Sequence, residues 1–166
     1  MPLQYVALLR AISNVAMAPF RTAVEALGFT EVASYGMSGN LMFNTARTDA
    51  TGLERDIAAR VGAMTMVRTR SEMRRIVARD PLAGAPGASV LFLARRPTAE
   101  RRRALRDLEV EGNKPVLVGR TVYFRYPLLR AGKNAPVDLE KVLGVKGTIR
   151  SAGVVRALLA RMTSAG

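Results

Sequence analysis

One structural unit occurs twice in this chain of 166 residues, and that repetition limits the possible folds more than any other feature. The apolar run Gln4-Tyr5-Val6-Ala7-Leu8-Leu9-Arg10 is echoed by Ala88-Ser89-Val90-Leu91-Phe92-Leu93-Ala94. After each run come a helical stretch, a pair of short strands and a second helix. Glu31–Thr45 (EVASYGMSGNLMFNT) corresponds to Lys114–Pro127 (KPVLVGRTVYFRYP), and Gly52-Leu53-Glu54-Arg55 to Val137-Asp138-Leu139-Glu140-Lys141. Two β-α-β-β-α-β units account for nearly the whole sequence.

The local signals agree with that reading. Leu3–Arg10 is too short for an ordinary helix and reads as a strand covered on both faces. Pro19 suits the first turn of a helix, and Phe20, Ala23, Val24 and Leu27 follow at helical spacing until Gly28. Val32–Tyr35 and Leu41–Phe43 read as strands around the turn Gly36-Met37-Ser38-Gly39-Asn40. Thr51-Gly52-Leu53-Glu54 matches a capping box ahead of the stripe Leu53, Ile57 and Val61. Ala63–Arg68 would close the first unit. Ser71–Arg79 reads as a connecting helix and Asp80–Gly87 as a Pro- and Gly-rich linker. The second unit predicts strands at Ser89–Ala94, Pro115–Val118, Thr121–Tyr126 and Gly147–Arg150, with helices over Thr98–Leu108 and Asp138–Leu143. Gly153–Met162 adds a terminal helix.

The expected fold class is therefore α+β: a tandem duplication of ferredoxin-like βαββαβ units with antiparallel sheets and an extra C-terminal helix. The boundaries fall at 1–70 for the first unit, 71–87 for the connecting helix and linker, and 88–166 for the second unit with its helix. In each sheet the first and third strands lie in the middle. The sheet face away from the helices then needs a cover from the other unit, from the additional helices or from a partner.

Composition narrows the chemistry. The chain has no cysteine and no histidine. Disulfides, thiolate nucleophiles and imidazole bases or metal ligands are excluded, and no cofactor or metal is expected. No phosphate loop, dinucleotide fingerprint or nucleophile elbow is present, so the reading leans away from an enzyme. No stretch reaches the ~18 apolar residues of a membrane span, and no signal peptide is visible at Met-Pro-Leu-Gln, so a cytoplasmic protein without a membrane partner is expected.

The net charge of +13 is unevenly spread. Residues 1–80 hold ten basic and seven acidic groups, residues 81–166 sixteen and six. A basic half attracts phosphates. Yet 22 of the basic residues are Arg and only four are Lys, which is also the drift of a GC-rich genome.

Several blocks resemble a known family. Tyr5-Val6-Ala7-Leu8-Leu9-Arg10-Ala11-Ile12, then Leu27-Gly28-Phe29, Ser34-Tyr35 and Ser38-Gly39-Asn40-Leu41-Met42-Phe43 are similar to the bacterial domain-of-unknown-function family 1697. That family reads Ala-Leu-Leu-Arg-Gly-Ile-Asn-Val-Gly-Gly, Leu-Gly-Phe and Thr-Tyr-Ile-Gln-Ser-Gly-Asn. Tyr123 to Pro127 resembles its Tyr-x-x-x-Pro, Leu139 to Gly144 its Leu-Glu-x-x-Leu-Gly, and Thr148-Ile149-Arg150 the start of its Thr-x-Arg-Asn-Trp-Asn-Thr. The resemblance implies a fold rather than an activity. This chain departs from the pattern at Ala11, at Ala16-Met17 and at Ser151-Ala152-Gly153-Val154.

Two sets of residues are candidates for binding. Arg10, Tyr35, Ser38, Gly39, Asn40 and Arg150 fall inside the resembling blocks. Arginine forks at strand ends suit phosphate or carboxylate, and Ser-Gly-Asn offers donors to an anion, or simply forms a hairpin turn. Arg95, Arg96, Arg101, Arg102, Arg103 and Arg106 crowd around one predicted helix, with Arg102, Arg103 and Arg106 on its outer face and Arg101 near the apolar edge. They form a possible nucleic-acid footprint or a solvated face. Tyr123, Phe124 and Tyr126 lie on the strand that RNA-recognition modules use for stacking. The leading expectation is a non-catalytic binding module for an anionic ligand, with nucleic acid or another phosphate-bearing partner first. Its rivals are an enzyme or small-molecule binder with a cleft between the units, and a protein-interaction module, monomeric or homodimeric, using an uncovered sheet face.

Overall fold

A computed structural model describes residues 2–109, 112–126, 130–131 and 135–164 of the chain. The elements run β1 (Leu3–Leu9), α1 (Ala18–Glu25), β2 (Thr30–Ser34), β3 (Asn40–Thr45), α2 (Ala50–Val61), β4 (Thr65–Thr69) and α3 (Arg70–Ala78). They continue with β5 (Ala88–Leu93), α4 (Ala99–Arg106), β6 (Val116–Val118), β7 (Thr121–Arg125), β8 (Arg130–Ala131), β9 (Ala135–Pro136), α5 (Leu139–Leu143), β10 (Gly147–Ser151) and α6 (Ala152–Ser164). Two four-stranded antiparallel sheets result, ordered β2-β3-β1-β4 and β10-β5-β7-β6, with β8 and β9 as a separate small ladder. The duplicated ferredoxin-like arrangement holds, with the first and third strands central in each sheet and a helix at the C-terminus.

The chain divides into two compact units, residues 1–75 with 156–166, and residues 76–155. The sequence places its cuts at 70 and 88 and keeps the last helix whole. In the structure the divisions fall inside α3 and α6, and the helix from Arg156 onward goes with the first unit. No helix among the described residues is long and apolar enough to cross a membrane.

Each unit builds its core on the helix-bearing face of its sheet. In the first, Tyr5, Ala7 and Leu9 point to one side of β1 and meet Leu41, Phe43 and Val67 from β3 and β4, Val24 from α1, and Leu53 and Ile57 from α2. Tyr5 and Phe29 stack on either side of the Phe43 ring at centroid distances of 5.5 and 4.7 Å. In the second, Leu91, Leu93, Val122 and Phe124 face Leu105 of α4 and Leu139 and Leu143 of α5. The alternate positions Val6, Leu8, Val90 and Phe92 are buried as well, so that face of each central strand is not open to solvent.

Each unit also ties a helix carboxylate to an edge strand, two positions apart in the repeat. Glu54 of α2 accepts the Val67 backbone N–H of β4 at 2.9 Å, and Glu140 of α5 accepts the Gly147 N–H of β10 at 3.2 Å. Both strands are sheet edges, where an outward amide has no ladder partner. In each unit a helix carboxylate therefore occupies a position that would otherwise invite another strand. This is also why the capping box expected at Thr51-Gly52-Leu53-Glu54 does not form. α2 begins at Ala50 behind Asp49, Thr51 already lies in its first turn, and Glu54 is drawn to β4. The reciprocal box forms instead at Thr69-Arg70-Ser71-Glu72, at the start of α3. There the Glu72 N–H donates to Thr69 Oγ1 at 3.1 Å and the Thr69 N–H to Glu72 Oε2 at 2.8 Å.

The turn out of β1 explains one departure from the family pattern. Ala11 stands where that pattern has glycine, and its φ is +62°, in the left-handed region. An L-residue with a Cβ is strained there. We expect Ala11→Gly to raise stability by about 0.5–1 kcal/mol, the relief of strain less the added entropy of the unfolded chain. A higher urea midpoint at unchanged slope checks this, and a lower one contradicts it. Glu54→Ala leaves the Val67 amide without its acceptor and should cost about 1–3 kcal/mol in the same assay. A loss within error would show that water replaces the carboxylate at this edge.

Candidate anion-binding groove

The arginine-rich segment around α4 is held from both sides. Thr98 starts the helix, its hydroxyl accepting the Arg101 backbone N–H at 3.3 Å, and Leu105 anchors the inner face at 2 % exposure. With Leu105 fixed inward, the helical period sends the arginines to different sides. Arg101 Nη1 donates to the Lys141 carbonyl at 3.2 Å, and Arg95 Nη2 to the Gly144 carbonyl at 3.2 Å. These two cations bind carbonyls at the C-terminal end of α5, where positive charge is favourable.

Arg96, Arg102 and Arg106 face elsewhere. With Lys114 they line a groove of about 590 Å³ against β6, floored by Leu105, Pro115 and Leu117. Arg102 is half-buried and steadied by donation from Nη1 to the Pro97 carbonyl at 2.7 Å. Among the described residues the groove contains one ion pair, Lys114 Nζ to Glu109 Oε2 at 3.9 Å, and both side chains are more than half exposed. A pair so long and so wet neutralises little. The predicted six-arginine cluster is thus divided: three line the groove, two hold α5, and Arg103 is exposed on α4 without lining the groove. Lys114 was not singled out by the sequence, because only the α4–β6 geometry brings it to the same rim.

The other predicted residues lie apart from this groove. In the first unit Asn40 is buried, and its side-chain amide donates to the Tyr35 carbonyl at 3.0 Å and to Ser38 Oγ at 3.2 Å. Gly39 has φ +81°, and a Cβ there would lie 2.8 Å from Cβ of Leu9. Its carbonyl accepts the Leu9 N–H at 2.8 Å. The hairpin thus accounts for the glycine and the asparagine of the Ser-Gly-Asn block: one allows close approach to β1, the other ties the turn. Tyr35 is half-buried under the Arg161 guanidinium, 4.6 Å from its ring centroid. Arg10 is half-buried at the end of β1, and its backbone N–H donates to the Met64 carbonyl at 2.8 Å.

Arg150 belongs to the second unit, on β10 opposite Val90, at 6 % exposure. Its Nη1 donates to Thr148 Oγ1 at 2.6 Å and to the Ile149 carbonyl at 2.9 Å. Burial pulls its pKa down to about 10, so it stays charged at neutral pH. Sequence reading missed its counterpart. Arg68 on β4 lies opposite Val6, is 2 % exposed, and donates from Nη1 to the Val67 carbonyl at 2.9 Å. Aligning Met66-Val67-Arg68 with Thr148-Ile149-Arg150 across the repeat would have found it.

The stacking platform on β7 is corrected. Tyr123 is 1 % exposed with its hydroxyl donating to the Ile76 carbonyl at 2.7 Å, and Phe124 is 2 % exposed in the core. Burial raises the Tyr123 pKa to about 12. Of the three aromatics only Tyr126 is exposed, and Pro127 beside it lies outside the described residues. No group of three or more acidic side chains that could hold a metal occurs among the described residues.

Comparison with known proteins places this geometry in a wider set. No curated protein matches the chain. A solved structure, the conserved bacterial protein SP0830 from Streptococcus pneumoniae, is similar over 98% of this chain and 99% of its own, with a TM-score of 0.74 and 16% sequence identity, a likeness of fold. Residues 3–123 match the model of a family described as a protein of unknown function, DUF1697, and with more than half its length matched the chain belongs to that family.

Proposed function

We propose that this protein is a non-catalytic binding module for an anionic ligand, nucleic acid being the class, and that the groove between α4 and β6 takes the strand. The observation that carries the reading is the convergence of Arg96, Arg102, Arg106 and Lys114 on one rim, where among the described residues Lys114 alone makes an ion pair, a weak one to Glu109. Guanidinium groups are weakly hydrated and fork onto phosphate oxygens, and a row of them releases counterions from a polyanion. The floor of Leu105, Pro115 and Leu117 suits the apolar faces of sugars. Among the described residues no aromatic lines the groove, so the contact is backbone-directed and tolerant of sequence.

Fluorescence anisotropy with a labelled homopolymeric single strand tests this. Binding at about 50 mM salt should weaken with a log–log slope near −3, as four phosphate contacts on a single strand give. Replacing Arg96, Arg102 and Arg106 together by Glu should abolish it. Arg102→Glu should cost far more than Arg103→Glu, which changes the charge equally on the same helix but off the groove. Equal losses from those two would mean that net charge rather than the groove holds the strand. No binding at low salt would remove the reading altogether.

Where the groove grips phosphates, those contacts carry no base information. Affinities for strands of different sequence but equal length should therefore agree within about threefold, and a spread of a hundredfold would point to base readout instead.

A further inference from the structure

The second unit holds a second cavity, of about 190 Å³, which shares Lys114 and Pro115 with the arginine groove. Its walls are Leu82, Leu108, Phe124, Val137 and Leu139. Phe124 and Leu139 belong to the core of the unit, so the cavity opens directly into packed apolar surface. Leu82 is kept in place by donation of its N–H to Asp80 Oδ1 at 2.8 Å. Protein interiors leave few apolar spaces of this size unfilled. An enclosed apolar void of about 150 Å³ accepts a benzene ring, so the apolar part of this open pocket has room for one.

The polar groups of this cavity are few and cationic. Among the described residues Arg125, Lys114 and Asn113 share the lining with no carboxylate, and Lys114 keeps its long contact to Glu109 at 3.9 Å. The Arg125 side chain is already oriented, with Nε donating to the Pro86 carbonyl at 3.1 Å and Nη1 to Asn113 Oδ1 at 3.1 Å. Two of its nitrogens are therefore committed, and Nη2 is left to meet a ligand. A guanidinium so held offers one donor edge rather than a full fork, which favours a singly charged head group over a phosphate. Lys114 adds a mobile point charge.

We propose that this cavity is a binding site for a small apolar carboxylate, its single ring or short chain among Leu82, Leu108, Phe124, Val137 and Leu139 and its carboxylate at Arg125 and Lys114. The site shares Lys114 with the groove but uses none of its three arginines, so substitutions at Arg125 and Arg102 separate the two.

The probes are benzoate and octanoate, with benzyl alcohol and octanol as uncharged counterparts and inorganic phosphate as a head group without a body. In isothermal titration and ligand-observed NMR on the full chain, the two carboxylates should bind and stabilise against heat. The alcohols should bind at least about tenfold more weakly, and phosphate should not displace bound benzoate. Arg125→Gln should weaken carboxylate binding about tenfold while leaving alcohol binding unchanged. Leu108→Trp should fill the cavity and abolish both, and Val137→Phe serves the same purpose if that variant does not fold. Failure of every carboxylate to bind at millimolar concentration overturns the proposal. So does binding that persists in a folded, cavity-filled variant, or displacement of benzoate by an equal concentration of phosphate. Arg102→Glu should leave benzoate binding intact, which separates this site from the groove.

Discussion

Everything else in each unit depends on one strand being paired along both edges. β1 lies between β3 and β4, and β5 between β7 and β10, all antiparallel. Their backbone groups are satisfied by neighbours on either side, and side chains alternate between two faces that are both buried. A strand in that position has to be apolar at nearly every residue, as Tyr5–Leu9 and Val90–Leu93 are. It leaves the outer strands β4 and β10 with a free edge apiece, which Glu54 and Glu140 then cover. It also puts a side chain from each outer strand over the face away from the helices. In both copies that side chain is an arginine, Arg68 opposite Val6 and Arg150 opposite Val90, each bonded to the carbonyl of the residue before it. A guanidinium tolerates such burial because it can spend donors on its own strand.

How far the sequence discloses this follows from the same physics. The central strands are legible because burial on two faces removes the polar residues that would obscure them. Helix starts are less so, since the pattern Thr-x-x-Glu occurs at both Thr51 and Thr69 and local spacing cannot rank them. At Thr51 a long-range acceptor role for Glu54 wins; at Thr69 the strand runs straight into α3 and the box closes. The β8–β9 ladder consists of two-residue strands, too short to carry any period.

Site residues are harder still, because their roles depend on partners far away in the chain. The crowding of arginines near residue 100 is visible at once. Which of them line a groove is decided by where α5 ends, since its last carbonyls take Arg95 and Arg101 out of the set. Tyr35 looks available for stacking until α6 brings Arg161 over its ring. Ser38-Gly39-Asn40 offers donors on paper, and Asn40 directs its amide into the hairpin that presents it.

The two copies also bear on whether the basic surface reflects function or genomic drift. Drift acts on both units alike. The first helix of the first unit, APFRTAVE, has one arginine, and the corresponding helix of the second, AERRRALR, has four in the same eight positions. In the first copy Arg21 reaches across from α1 and donates to Ser34 Oγ of β2 at 2.6 Å, tying the helix to the strand. In the second copy the equivalent space between α4 and β6 is a groove with cations on its rim. A drift acting uniformly along the chain does not by itself place four arginines on one helix and one on its counterpart.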